Sequence, residues 1–223
     1  MDKSGSTPQV KICGITKKDE AMFLNEAGAD YAGFVFFPKS KRNVTFSQAK
    51  EIFFELDASI KKVAVFVSPT LEEVKKAEEI GIDILQIHGT LSEEIRKKSR
   101  HPIWRAVNIK EEKDLMALFA VSEKQSEERS ADDISGIVVD GAEYGSGKPF
   151  DWKENEKLLE YRKKYPDRKF ILAGGLNGEN VKTGISIFMP DIVDVSSGVE
   201  NDNGIGKSRD KILEFIRKVK EYE

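Results

Sequence analysis

The stretch FILAGGLNGENV (170–181), followed by DIVDVSSGVE (191–200), decides the reading of the fold. Each half is an apolar, β-branched run that stops at a small polar turn. Phe170–Ala173 ends at Gly174-Gly175, with Asn177 standing where a helix N-cap is wanted, and Ile192–Val195 ends at Ser196-Ser197-Gly198. Glycines let backbone approach an anion closely, and free N–H groups at a helix start point towards it. One such turn alone reads as an ordinary connection with a glycine cap. Two in succession, each carrying small hydroxyl or amide residues, read as the phosphate site that the last two loops of a (β/α)8 barrel build.

Working outward, strand-like runs recur along the chain, each followed by a helical pattern, which argues for parallel βα units. The runs are 10–13, 31–37, 62–67, 84–87, 103–107, 137–140, 170–173 and 192–195. Helical patterns are expected from a Thr16 N-cap to a Gly28 C-cap, from Thr45 or Ser47, after Ser68-Pro69-Thr70, and over 92–99, 112–119, 152–164 and 210–222. The polar segment 122–133 reads as a surface excursion. An open doubly wound sheet shares this periodicity, but eight units in order favour a single-domain α/β fold, the (β/α)8 or TIM barrel, over 9–223. Residues 1–8 are expected to be a disordered lead-in.

Composition excludes several classes of function. A net charge of −3 and a pI of about 5.7 leave no nucleic-acid footprint. No apolar run approaches the ~20 residues of a membrane span, and the polar start lacks a signal-peptide core, so a cytoplasmic protein is expected. Cys13 is the single cysteine, which rules out an internal disulfide. Neither histidine has a metal partner in sequence, so no metal is expected.

Polar residues at the C-terminal ends of barrel strands are where chemistry is found. The first strand ends in Cys13, which reads either as a small buried hydrophobe or as a thiolate base. Strand alternation puts Lys11 on the same side, where its charge is expected to lower the Cys13 pKa. The sixth strand ends in Asp140, a proton donor if burial raises its pKa, or a brace for the Gly-rich loop 141–147. Arg42 lies in the loop after the second strand, and a planar guanidinium suits a carboxylate; without further context it reads first as one more solvated arginine in a Lys-rich run. His88 ends the fourth strand and reads first as a buried barrel-mouth histidine. Asp194, within the eighth strand, is a further candidate with Lys11 and His88.

Together these residues resemble phosphoribosylanthranilate isomerase, the Amadori isomerase family of tryptophan biosynthesis. The matching pieces are KICGIT (11–16), GADYAGFVFFPKSKR (28–42), VAVFV (63–67), LQIHG (85–89), VVDG (138–141), GSGKPFDW (145–152), LAGGLNGENV (172–181) and DVSSGVE (194–200). The resemblance implies Cys13 as general base, Asp140 as general acid and Arg42 on the anthranilate carboxylate. It implies Gly174, Gly175, Asn177, Ser196, Ser197 and Gly198 on the phosphate. It further implies a cofactor-free reaction on a phosphorylated sugar, by a monomer or homodimer. Tyr144 and Asn43 depart from the family pattern, standing where a loop glycine and an aromatic are usual. Two alternatives stay open. One is another sugar-phosphate isomerase, such as the histidine-pathway type with two aspartates, against which Cys13 argues. The other is a non-catalytic sugar-phosphate-binding barrel.

Overall fold

A computed structural model describes residues 7–108, 134–140 and 155–222. Eight parallel strands close in chain order into one barrel: β1 Gln9–Cys13, β2 Tyr31–Phe36, β3 Lys61–Val67, β4 Ile84–His88, β5 Ile103–Asn108, β6 Ile134–Asp140, β7 Lys169–Leu172 and β8 Ile192–Val195. Among the described residues the outer layer holds α1 Lys18–Ala27, α2 Phe46–Phe53, α3 Leu71–Ile80, α4 Glu93–Lys98, α5 Asn155–Lys164, α6 Val181–Phe188 and α7 Arg209–Lys220. β8 pairs back onto β1 from Gln9↔Ile192 to Ile12↔Val195, so the sheet has no exposed edge. The expected helix at 112–119, the excursion 122–133, the loop 141–147 and lead-in residues 1–6 lie outside the described residues. Pro8, at the end of that lead-in, is buried.

The two-residue period of a strand decides which way each side chain faces. Val10, Ile12, Phe34, Phe66 and Leu85 face outward into the layer beneath the helices. The alternate set, including Cys13, Tyr31, Val65, Trp104, Val138 and Ile171, fills the barrel. Both faces are covered, which is why the strands read as near-continuous apolar runs. Two glycines make room inside: a Cβ on Gly33 would lie 2.9 Å from Cys13 Sγ, and one on Gly136 would lie 2.7 Å from Trp104 Cδ1.

Two helix starts differ from expectation, for local reasons. The N-cap of α1 is Lys17 rather than Thr16, because the Glu20 carboxylate folds back to accept the Thr16 and Lys17 amides at 2.6 and 3.1 Å. α6 begins at Val181 rather than after Asn177. The Asn177 side chain accepts the Glu179 and Asn180 amides at 2.8 and 3.1 Å, closing a turn of its own before the helix starts.

One ion pair interrupts the apolar filling of the barrel. Lys11 and Asp194 are register partners across the β1–β8 seam, with Nζ 2.7 Å from Oδ2 and side chains 0% and 6% exposed. Burial works against the Lys11 charge, but Asp194 and Cys13 outweigh it and its pKa is raised. The same burial pushes the Asp194 carboxyl up, against the pull of Lys11. At 2.7 Å the proton belongs on the lysine. Breaking such a pair leaves a bare charge in a dry interior, at a cost of about 3–5 kcal/mol. Lys11→Met is therefore expected to destabilise the fold by about that amount in urea unfolding, and Lys11→Met/Asp194→Leu to recover most of the loss.

Candidate active site

Cys13 and Asp140 close β1 and β6 at the C-terminal face. By alternation both side chains share the inward set, Cys13 with Lys11 and Asp140 with Val138. In the closed ring, β1 and β6 are separated by β7 and β8 on the shorter side, so acid and thiol stand on different walls of one mouth. Asp140 is half-buried, beside Asn108 in register. Cys13 is 9% exposed. Burial pushes its thiol pKa up; Lys11 and then Lys207 pull it down, while Asp194 adds to the rise. Lys11 therefore acts in the expected direction, but the net shift is upward and not downward, because desolvation of a buried thiolate outweighs a lysine already engaged by Asp194.

The two glycine-rich turns meet. Gly174 and Gly175 have φ of 83° and 69°, left-handed values that a β-branched residue would resist. A short 3₁₀ turn over Ser197–Val199 follows β8, and its first internal bond comes from the Val199 amide to the Ser196 carbonyl at 3.4 Å. The amides of Ser197 and Gly198 precede that bond, at the open N-terminal end. A Cβ on Gly198 would run into the Leu176 carbonyl and lie 2.9 Å from Asn177 Cβ, so only glycine lets the β8 turn close on the β7 turn. Asn180, which sequence reasoning passed over, braces the same place. Its amide donates to the Gly175 carbonyl at 2.9 Å and its Oδ1 accepts the Asn177 amide at 2.9 Å. The Ser196 hydroxyl donates to the Cys13 carbonyl at 2.9 Å and ties this turn to β1.

Arg42 is brought to the same mouth. Gly14, directly after Cys13, has φ 80°, and a Cβ there would lie 2.5 Å from Arg42 Cδ, so the arginine stem lies across bare backbone. Arg42 Nε donates to Glu200 Oε1 at 2.5 Å. Lys41 Nζ donates to Glu200 Oε2 at 2.8 Å. Lys207 is 4% exposed and donates from Nζ to the Ser196 carbonyl at 3.0 Å. Burial holds the Lys207 pKa down to about 8, with Glu200 pulling it back up. Arg42, Lys41, Glu200 and Lys207 line a cavity of about 250 Å³ together with Gly14, Lys17 and Ile205. Glu200, Lys207 and Glu20 were not foreseen from sequence. The Lys207 amide donates to Glu20 Oε1 at 2.8 Å, linking the loop after β8 to the start of α1. The one available signal was an acid directly after the serine turn, followed by a lysine after Gly206.

His88 and Asp194, the further candidates, are both buried on the inward side of their strands. His88 is buried in the barrel, with Nε2 3.0 Å from the Gln86 amide nitrogen. Burial, with the charges of Lys11 and Arg105, holds its pKa down to about 4, so the ring is neutral at pH 7. Asp194 lies one strand residue pair below the serine turn and serves Lys11. Among the described residues no group of three or more His, Cys, Asp or Glu side chains is placed to hold a metal, and no helix is long and apolar enough to cross a membrane.

Comparison with known proteins agrees with this geometry. Residues 10–218 match the family model described as N-(5'phosphoribosyl)anthranilate (PRA) isomerase. An N-(5'-phosphoribosyl)anthranilate isomerase from Clostridium kluyveri is 41% identical over 214 residues, spanning 95% of this chain and 98% of that one. The crystal structure of the dimeric phosphoribosylanthranilate isomerase of Thermotoga maritima in monomeric form superposes with a TM-score of 0.79 at 37% identity, covering 96% and 98%. A phosphoribosylanthranilate isomerase crystallised with reduced 1-(o-carboxyphenylamino)-1-deoxyribulose 5-phosphate gives 0.79 at 36% identity, again over 96% and 98%. Thiol, acid, arginine and paired glycine turns sit on a barrel that matches these relatives along nearly its whole length, and the chain belongs to the N-(5'-phosphoribosyl)anthranilate isomerase family.

Proposed function

We propose that this chain, an isomerase by its family, converts N-(5'-phosphoribosyl)anthranilate to 1-(o-carboxyphenylamino)-1-deoxyribulose 5-phosphate with Cys13 as base and Asp140 as acid. The observation that carries the proposal is the adjacency at the end of β1, where Arg42 lies across Gly14, the residue next to Cys13. An arginine fixed there can hold the substrate carboxylate while the thiol faces the sugar. The opposed turns of β7 and β8 supply N–H groups for the phosphate. Anchoring both ends positions the reacting carbons between Cys13 and Asp140.

The chemistry is an internal redox exchange in which no electrons leave the substrate. Asp140 gives its proton to the furanose ring oxygen as the C1′–O bond breaks, and the aryl nitrogen lone pair forms the C1′ iminium. Cys13 thiolate removes the C2′ proton, and that bond pair moves to the iminium, giving an enolamine. Tautomerisation to the ketone oxidises C2′ and reduces C1′. A thiol with raised pKa is the minor thiolate form at neutral pH but the stronger base once ionised. The proposed setting is cytoplasmic, as a monomer or homodimer.

Wild type is expected to turn over phosphoribosylanthranilate, followed as the loss of its anthranilate-type fluorescence. Cys13→Ala and Asp140→Asn, each verified as folded, should fall by about a hundredfold or more in kcat. Turnover by either variant at the wild-type rate would remove that residue from the mechanism. Because the thiolate base and the protonated acid must be present together, kcat/KM should follow a bell in pH whose falling alkaline limb belongs to the raised Cys13 thiol. Removing the cation that opposes burial, in folded Lys11→Met, should move that limb to higher pH; an unmoved limb would leave Lys11 with a structural role alone. Gly198→Ala should raise the KM by about tenfold or more, as the β8 turn is pushed off Leu176 and the phosphate amides part.

A further inference from the structure

We propose that Glu200 is the positioning residue that aims Arg42 at the substrate carboxylate, an inference that rests on the role of Arg42 above. A guanidinium offers donors along two edges, one through Nε and one Nη, the other through both Nη groups. Glu200 Oε1 takes Nε at 2.5 Å, and Arg42 Nη2 is buried and makes no hydrogen bond in the structure. With Nε taken by Glu200, the edge left whole for a planar ligand is the one through both Nη groups, whose parallel N–H vectors match a carboxylate. Gly14 beneath the stem and the Ser40 hydroxyl, which accepts the Arg42 amide at 3.1 Å, fix the root of the side chain. Glu200 fixes its head.

The charges around Glu200 agree with this role and with a purely local ion pair less well. A single carboxylate, 7% exposed, faces Arg42, Lys41 at 2.8 Å and Lys207 at 3.5 Å. Three cations face that one carboxylate, with Glu20 a second anion near Lys207, so positive charge stays in excess on this wall of the cavity. Burial opposes ionisation of Glu200, but Arg42, Lys41 and Lys207 outweigh it and hold its pKa below the usual carboxylate range. Glu200 thus remains ionised and holds Arg42 through Nε, while the positive charge in excess on this wall suits an acidic aryl group. A guanidinium already held in its binding orientation spends less rotamer freedom when the ligand arrives.

The test compares two fragments of the substrate as competitive inhibitors, anthranilate for the carboxylate end and ribose 5-phosphate for the phosphate end. In Glu200→Ala, KM and the anthranilate inhibition constant should each rise about tenfold, the weight of one charge-assisted hydrogen bond, with kcat within about threefold. Ribose 5-phosphate inhibition should be unchanged. Glu200→Gln, which keeps shape and acceptor, should lie between wild type and alanine, and carries the same comparison alone if the alanine variant does not fold. Equal weakening of both inhibitors would make Glu200 a structural brace, and no weakening of either would remove it from recognition; each overturns the proposal. Arg42→Met separates the two levels. Weaker anthranilate binding in Arg42→Met with none in the Glu200 variants rejects the positioning role alone. Unchanged anthranilate binding in Arg42→Met rejects the role of Arg42 and the inference built on it.

Discussion

Closure of the sheet where β8 meets β1 is the constraint on which the rest depends. The seam joins residues from opposite ends of the chain, and each layer of it carries a specific contact. Lys11 meets Asp194 inside the barrel, the Ser196 hydroxyl meets the Cys13 carbonyl at the rim, and the Lys207 amide meets Glu20 above it. The serine–glycine turn of β8 is thereby held beside the thiol of β1, and the loop carrying Glu200 is held beside Arg42. Such long-range contacts repay the entropy of closing the chain only after most of the barrel has formed. The site therefore depends on the same closure that eliminates the free edges of the sheet.

Burial sets the electrostatics of that seam. A dry interior penalises every isolated charge, which is why Lys11 and Asp194 occur together and why His88 is neutral. The same penalty raises the Cys13 thiol and lowers Lys207. What separates the proposed base and acid from the Lys11–Asp194 pair is depth. Lys11 and Asp194 sit one layer down and pair with each other through Oδ2. Cys13 and Asp140 stand at the strand ends, where a ligand can reach them. In the proposed site two kinds of anion-binding group divide recognition, backbone N–H groups at the glycine turns and a guanidinium braced by a carboxylate at the other end.

Much of the candidate site was legible as strand ends because its parts are local. Cys13, Asp140, Gly174, Gly175 and Ser196–Gly198 each end an apolar run, and a strand end is visible in the order of residues. The strand boundaries shifted by at most a few positions: β6 starts at Ile134 rather than 137, and β4 keeps His88. Errors arose where one side chain competed for backbone groups. Glu20 moved the cap of α1, and Asn177 spent its oxygen on its own turn, delaying α6 to Val181.

By itself the amino-acid sequence determined the repeating strand–helix order, the two-sided burial of the strands and the inventory of groups at their ends, because alternation and turn chemistry act over a few residues. Only the tertiary structure decided which of those groups share an environment. The direction of the Cys13 shift, the pairing of Lys11 with Asp194, the fit of Gly198 against Leu176 and the grip of Glu200 on Arg42 all join residues remote in the chain. Desolvation, close approach and ion pairing depend on distance in space, and that distance exists only once the barrel has closed.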